Sequence, residues 1–303
     1  MRRAAILAVL ALLVLGAAGT AWALNNPNPP SCTDLGDRLT KLKLIEQLSH
    51  APHVLILGSS RARVAAPATV QKLTGRSAFN AGVRGGTASD EYVFTRVLAQ
   101  QFPKAKTAYL IFTDVGIAGD GVNPEMADEP LARPFLGSDA SSNTTTCVPN
   151  SYYLPDGGLA YPPGLSAAQR AQRVAKGVAQ TLKSIPEESK DARPIDPAHT
   201  QYFQRTLAFM NAQGATPVIV LNPIYPTVLA AREKYGFPER KAAGVYLTWL
   251  RKHGYRFVLL DCENIKIWGG KASDFWNVDH VDRANMDRML RYIAGHSHGA
   301  LTR

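Results

Sequence analysis

Two stretches far apart in the chain carry residue types suited to nucleophilic acyl chemistry. The first is Gly58-Ser59-Ser60-Arg61, where a glycine closes a run of four apolar residues and two hydroxyls follow it. A strand that stops at Gly-Ser and turns sharply into a helix holds a hydroxyl at the exposed edge of a sheet, with the first helical N–H groups facing whatever binds there. The second stretch is Asn277-Val278-Asp279-His280, an imidazole with two polar side chains that could orient it. Between them lies Asn80-Ala81-Gly82-Val83-Arg84-Gly85-Gly86-Thr87, a glycine-rich loop with N–H groups to spare. Thr113-Asp114 and Asn222-Pro223 close two further apolar runs. Nucleophile, base, orienting groups and N–H donors are together what acyl transfer requires.

Each of these features has an ordinary structural explanation as well. Ser59 and Ser60 suit a helix N-cap and a turn equally well. Gly82, Gly85 and Gly86 suit backbone with positive φ, and Asp114 suits a loop cap. They form neither a dinucleotide fingerprint nor a Walker loop, so nucleotide binding is not supported. His280 is selected over the six other histidines by its position. His50 and His53 precede the first apolar run, His199 and His253 fall on helical stretches, and His296 and His298 lie in a polar tail. His280 alone stands between the last strand and the last helix, among carboxylates and aromatics.

The elements that must place these groups follow from the apolar pattern. Strands are expected at Val54 to Leu57, Ala78 to Asn80, Ala108 to Phe112, Pro217 to Leu221 and Phe257 to Leu260. Helical spacing runs over Ser89 to Gln101, Ser166 to Ile185, Pro197 to Gln213, Glu239 to His253 and Arg283 to Ala294. Gly214 and Gly254 stand where C-terminal glycines close two of these helices. Strands alternating with helices predict a three-layer α/β/α fold on a five-stranded parallel sheet. Ligands of such sheets bind beyond the carboxyl ends of the strands, which is where Ser60, the glycine loop, Asp114 and Asn222 all fall. The irregular stretch 116–164 reads as a loop insertion, either shaping a substrate cleft or a solvated excursion.

Met1-Arg2-Arg3, an apolar run to about Ala18 and the small-x-small site Ala21-Trp22-Ala23 have the layout of a secretory signal. An uncleaved N-terminal anchor is the alternative, and either way the rest of the chain is expected outside the cytoplasm. Residues 1–23 are thus assigned to a signal peptide or anchor, 24–50 to a linker and lead-in, and 51–303 to the α/β domain. The formal net charge of +10 favours anionic surroundings such as an envelope polymer or lipid surface. Dispersed basic residues and export argue against nucleic acid. Of three cysteines, Cys32 and Cys147 lie in loop sequence and are expected to pair, with Cys262 a thiol beside the core. No cysteine or histidine spacing resembles a zinc site, and no metal or other cofactor is called for.

With these residues assembled, the chain resembles the SGNH (GDSL-type) hydrolases, over Val54 to about Leu290 and in the expected order. Gly58-Ser59-Ser60 is similar to their first block, with Ser60 at the nucleophile position and Ser59 in place of the usual Asp. The glycine loop is similar to the second block, whose glycine maps to Gly85. Phe112-Thr113-Asp114 sits where the third block has an asparagine, and Asn277-Val278-Asp279-His280 resembles the final Asp-x-x-His block. The resemblance implies a flavodoxin-like SGNH hydrolase fold, with His280 as general base and an oxyanion hole from the N–H groups of Ser60 and Gly85. Two departures stand out: Asn277 replaces the triad carboxylate, and Asp114 replaces an oxyanion donor. An ionised Asp114 cannot donate a hydrogen bond but could hold Arg61 or Arg84. These features look most like the exported SGNH-like branch, which includes proteins of alginate O-acetylation and teichoic acid D-alanylation. The implied activity is an acyl esterase or O-acyltransferase on acyl esters such as those of an envelope polysaccharide, with Asn277 or Asp279 orienting His280. The alternative is a non-catalytic glycan-binding or envelope-assembly protein that retains the fold.

Overall fold

A computed structural model of the chain describes residues 33–114, 121–122, 126, 129–136, 153–159 and 166–302. Five parallel strands, β1 (Val54–Gly58), β2 (Ala78–Asn80), β3 (Ala108–Thr113), β4 (Val218–Leu221) and β5 (Val258–Asp261), form one sheet in the order β2-β1-β3-β4-β5. Val54 stands opposite both Ala78 and Ala108, and Val218 opposite both Leu110 and Val258. The four apolar residues of β1 are all buried, as a strand covered on both faces requires.

Alternation along the strands sorts side chains into two layers. Leu55, Leu57, Tyr109, Ile111, Ile219 and Leu221 face one way. They meet α1 (Thr33–Glu46), α3 (Ala88–Gln101), α6 (Gln201–Ala212) and α8 (Pro238–Lys252) through residues such as Ile45, Phe94, Leu207 and Leu250. Val54, Ile56, Leu110, Phe112, Val218 and Val220 face the other way. They meet α2 (Pro67–Thr74), α5 (Ala167–Asp191) and α9 (Arg283–His296) through Val70, Val174, Met286 and Ile293. The result is three layers, helices over both faces of a parallel sheet. Chain order reverses between β1 and β3, where ligand crevices form in sheets of this kind.

The expected strands agree with the observed ones to within a residue at each end. The helices depart more. The helix expected over Pro197 to Gln213 is split into a 3-10 turn, Pro197–His199, and α6. Asp196 caps the turn through the N–H of Ala198, and Thr200 leaves helical geometry at the joint. Helix α5 continues past Ile185 to Asp191 with Pro186 inside it. Two short helices, α2 and α7 (Pro226–Lys234), went unexpected; each opens on a proline and spans too few turns for periodicity to register. The stretch 24–50, assigned to linker and lead-in, contains α1, whose Leu42 and Ile45 belong to the core. The packed domain therefore starts before residue 51.

Cys262 is a buried free thiol, and burial pushes it up to about 12. The stretch expected to be a leader, Cys32, Cys147 and most of 116–164 lie outside the described residues. The described part of that stretch includes a turn of helix, α4 (Arg133–Leu136), and a tight turn in which the N–H of Gly157 bonds Leu154. Among the described residues no helix is long and apolar enough to cross a membrane.

Candidate active site

Gly58 makes the turn at the end of β1 possible. Its φ is +131°, and a Cβ there would stand 2.4 Å from the carbonyl oxygen of Phe112 on β3. Only glycine combines that backbone conformation with that contact. Ser59 and Ser60 then lead into a 3-10 turn, Ala62–Val64, whose first N–H bonds the Ser59 carbonyl.

His280 reaches Ser60 on a two-stranded hairpin, β6 (Phe275–Asn277) and β7 (His280–Val281), unseen in the sequence because each strand is so short. Phe275 and Val281 pair across it and sink into the second core layer, which fixes its base. Its tip rests on α5, where Val278 lies against Gly177; a Cβ on Gly177 would be 3.0 Å from Val278 Cγ1. The following helix α9 is capped by Asp282, which accepts from the N–H of Asn285 at 3.0 Å.

Ser60 Oγ lies 2.8 Å from His280 Nε2, and Asn277 Oδ1 lies 3.0 Å from His280 Nδ1. The tautomer follows from the rest of the turn. Asn277 Oδ1 also accepts from the N–H groups of Asp279 and His280, each at 2.9 Å, so the atom facing Nδ1 is the amide oxygen. An amide oxygen only accepts, so Nδ1 carries the proton. The lone pair is left on Nε2, aimed at the Ser60 hydroxyl. Burial foremost, then the Arg61 guanidinium, holds the His280 pKa below its ordinary value, so the imidazole is neutral at neutral pH. A neutral imidazole bonded to a serine hydroxyl is able to take its proton.

Of the two candidates for orienting His280, Asn277 makes the contact. The Asp279 carboxylate instead lies 3.5 Å from Arg61, whose Nε donates to the Asp279 carbonyl at 2.7 Å. Arg61 also pairs with Asp114, and Asn222 Nδ2 donates to the other Asp114 oxygen at 2.9 Å. Asp114 thus bonds Arg61 rather than Arg84, tying the ends of β3 and β4 to the hairpin. In this position it accepts from both neighbours and presents no donor.

The glycine loop is held from below by α1, and this was missed in the sequence. Arg38 donates to the carbonyls of Arg84 and Gly85 at 3.3 and 3.0 Å, and forms a two-bond pair with Asp90 at 2.8 and 2.7 Å. Asp37 accepts from the Arg84 N–H at 3.1 Å, and Asp90 closes the capping box of α3 at Thr87. Lys41 donates to the carbonyls of Asn80 and Gly157. With both carbonyls of the Arg84-Gly85 pair engaged by Arg38, the loop is pinned. The N–H groups of Ser60 and Gly85 have no acceptor among the described residues. One signal was available: Arg38, Leu42 and Ile45 share a helical face, so a charge stands where the pattern calls for a core residue.

No group of His, Cys, Asp and Glu side chains among the described residues could hold a metal ion. Compared with known proteins, the chain matches no protein-family model, no curated protein and no solved structure.

Proposed function

We propose that the protein is a serine-dependent acyl esterase or O-acyltransferase of SGNH type, in which Ser60 is the nucleophile and His280 its base. The observation that carries this reading is the Ser60–His280 contact of 2.8 Å, with the imidazole held in the base tautomer by Asn277. Ser60 Oγ attacks the ester carbonyl carbon as its proton passes to Nε2. The resulting oxyanion is met by the N–H groups of Ser60 and Gly85. Collapse expels the alcohol, which leaves with the proton from Nε2, and the acyl group stays on Ser60. Water or a second alcohol, deprotonated by His280, then attacks the acyl-enzyme, giving hydrolysis or transfer. The strand order and the blocks around Ser60, Gly85 and His280 support the finer reading of a flavodoxin-like SGNH fold. The basic leader supports export, and an acyl ester on an envelope polysaccharide is the proposed substrate.

One observation favours the non-catalytic alternative. Asp114 occupies the place of an oxyanion donor and is engaged with Arg61 and Asn222, so among the described residues the hole rests on two backbone groups. Losing one such donor typically costs about 10²–10³-fold in rate. A fluorophosphonate probe decides between the readings. Labelling of the wild type is expected, with loss in Ser60→Ala, persistence in Ser59→Ala and slowing by about 10²-fold or more in His280→Ala. Folded wild type that neither labels nor turns over acyl esters would establish the non-catalytic reading.

A further inference from the structure

A cleft of about 430 Å³ is lined by Arg61 and Asp279, the chain neighbours of Ser60 and His280, together with Asp114 and Asn222, and is bounded by α5, α7 and α8. The chain is strongly basic, yet this space is lined by six carboxyl groups, Asp114, Glu188, Asp191, Glu239, Glu263 and Asp279, of which Glu263 is pushed up to about 7 by burial. Two guanidiniums line it with them, and both are already engaged. Arg61 pairs with Asp114 and Asp279, and Arg232 with Glu188 and Glu239. Behind the wall, Arg240 pairs with Glu263. Asp191 has no ion partner among the described residues.

A second, independent feature concerns hydrogen bonding. Asn222 is 4% exposed and lines the cleft, and its Oδ1 has no partner among the described residues. The orientation of this amide is set, because Nδ2 must face the acceptor-only Asp114 carboxylate. Glu239 Oε2 is likewise buried without a partner among the described residues. A buried acceptor left unmet is costly unless something supplies a donor. One donor on the same lining, Arg232 Nε, is also buried without a partner among the described residues and suits an oxygen beside the incoming donor. Surplus negative charge and unmet acceptors call for a compact cation with several N–H groups. A primary ammonium has three.

We propose that this cleft is the subsite for a primary ammonium group on the ester substrate, an inference that rests on Ser60 being the nucleophile. The amine can belong to the acyl part, as in an aminoacyl ester, or to the alcohol, as in an O-acylated amino sugar. Both place an ammonium a few bonds from the scissile carbonyl.

Two matched pairs of esters test it: γ-aminobutyryl against pentanoyl methylumbelliferone for the acyl side, and O-acetylated glucosamine against O-acetylated glucose for the alcohol side. The amine member of at least one pair is expected to have a kcat/KM about tenfold higher, the value of one hydrogen bond to a charged group. Which pair shows it assigns the side. The preference should shrink with added salt and narrow in the Asp191→Asn, Glu188→Gln double variant. Calorimetric titration of Ser60→Ala with glucosamine against glucose, and with γ-aminobutyramide against pentanamide, reads the subsite without turnover. Equal rates within both pairs, with probe labelling of Ser60 intact, overturn the subsite and leave the serine chemistry standing. Absent labelling and turnover overturn the chemistry, and the titration then decides the cleft: equal binding within both pairs overturns it too.

Discussion

Replacing Asn277 by Asp puts a carboxylate where an amide oxygen now faces His280 Nδ1 at 3.0 Å. The reverse change in a Ser-His-Asp triad costs about 10⁴-fold, chiefly because the imidazole takes the wrong tautomer. Here the tautomer is already set, since Asn277 Oδ1 accepts from two backbone N–H groups as well as from Nδ1. The gain from Asn277→Asp is therefore confined to stabilising the imidazolium. Exchanging a neutral acceptor for a charged one adds about 1–2 kcal/mol. That is roughly tenfold in rate and about one unit in the His280 pKa. The direction is fixed by sign. In the wild type His280 is held below 6.5 by burial and Arg61, and its active neutral form accumulates as pH rises through that lowered value. The acid limb of kcat/KM should accordingly lie below 6.5 in the wild type and move upward in the variant. Hydrolysis of p-nitrophenyl acetate across pH, together with NMR titration of the imidazole, measures both. An unmoved limb and an unchanged plateau would refute the reasoning. A response to Asp279→Asn in their place would transfer the orienting role to Asp279.

Arg38→Ala should destabilise the protein by about 3–5 kcal/mol in urea unfolding, because it strands the buried Asp90 carboxylate. Arg38→Met combined with Asp90→Leu should recover part of that loss, and a single-variant cost under about 1 kcal/mol would contradict the bracing role. Burial and then neighbouring Asp90 push the Glu91 carboxyl up to about 8. With its folded value above the unfolded one, its contribution is full below about pH 4.5 and lost as pH rises toward 8, on the order of 4 kcal/mol. Glu91→Gln should flatten that fall, as urea midpoints at acid and alkaline pH would reveal. Gly58→Ala should cost about 3 kcal/mol or more, since positive φ and the Phe112 carbonyl both oppose a Cβ. A melting temperature equal to wild type would show that the turn relaxes without penalty.

The strands were legible because each is an uninterrupted run of apolar residues flanked by polar or turn-forming ones, the pattern of a sheet covered on both faces. Long helices were legible where apolar residues repeat over three turns, as with Phe203, Leu207 and Met210. Helices α2 and α7 were not, since two turns opened by a proline offer too few repeats, and α1 was hidden by Asp37, Arg38 and Lys41 on its buried face. These polar groups are tolerated in the interior only because backbone carbonyls, backbone N–H groups and Asp90 satisfy them, and burial pulls the Lys41 pKa well below its ordinary value.

The layered order of elements and the candidate groups at the strand ends are both readable from the chain alone. Both depend on local pattern: alternation, periodicity, and a glycine where a chain must turn. Which of those groups meet is set by packing between distant elements. Ser60 and His280 are 220 residues apart, and their contact depends on the hairpin docking of Phe275 and Val281 into the core and of Val278 against Gly177. Whether Asn277 or Asp279 orients the imidazole was equally closed to the sequence, because adjacent side chains in a turn point in directions that only the turn's hydrogen bonds select. Asn277 turns inward because its oxygen accepts the two N–H groups of its own turn, and Asp279 turns outward because Arg61 holds it there.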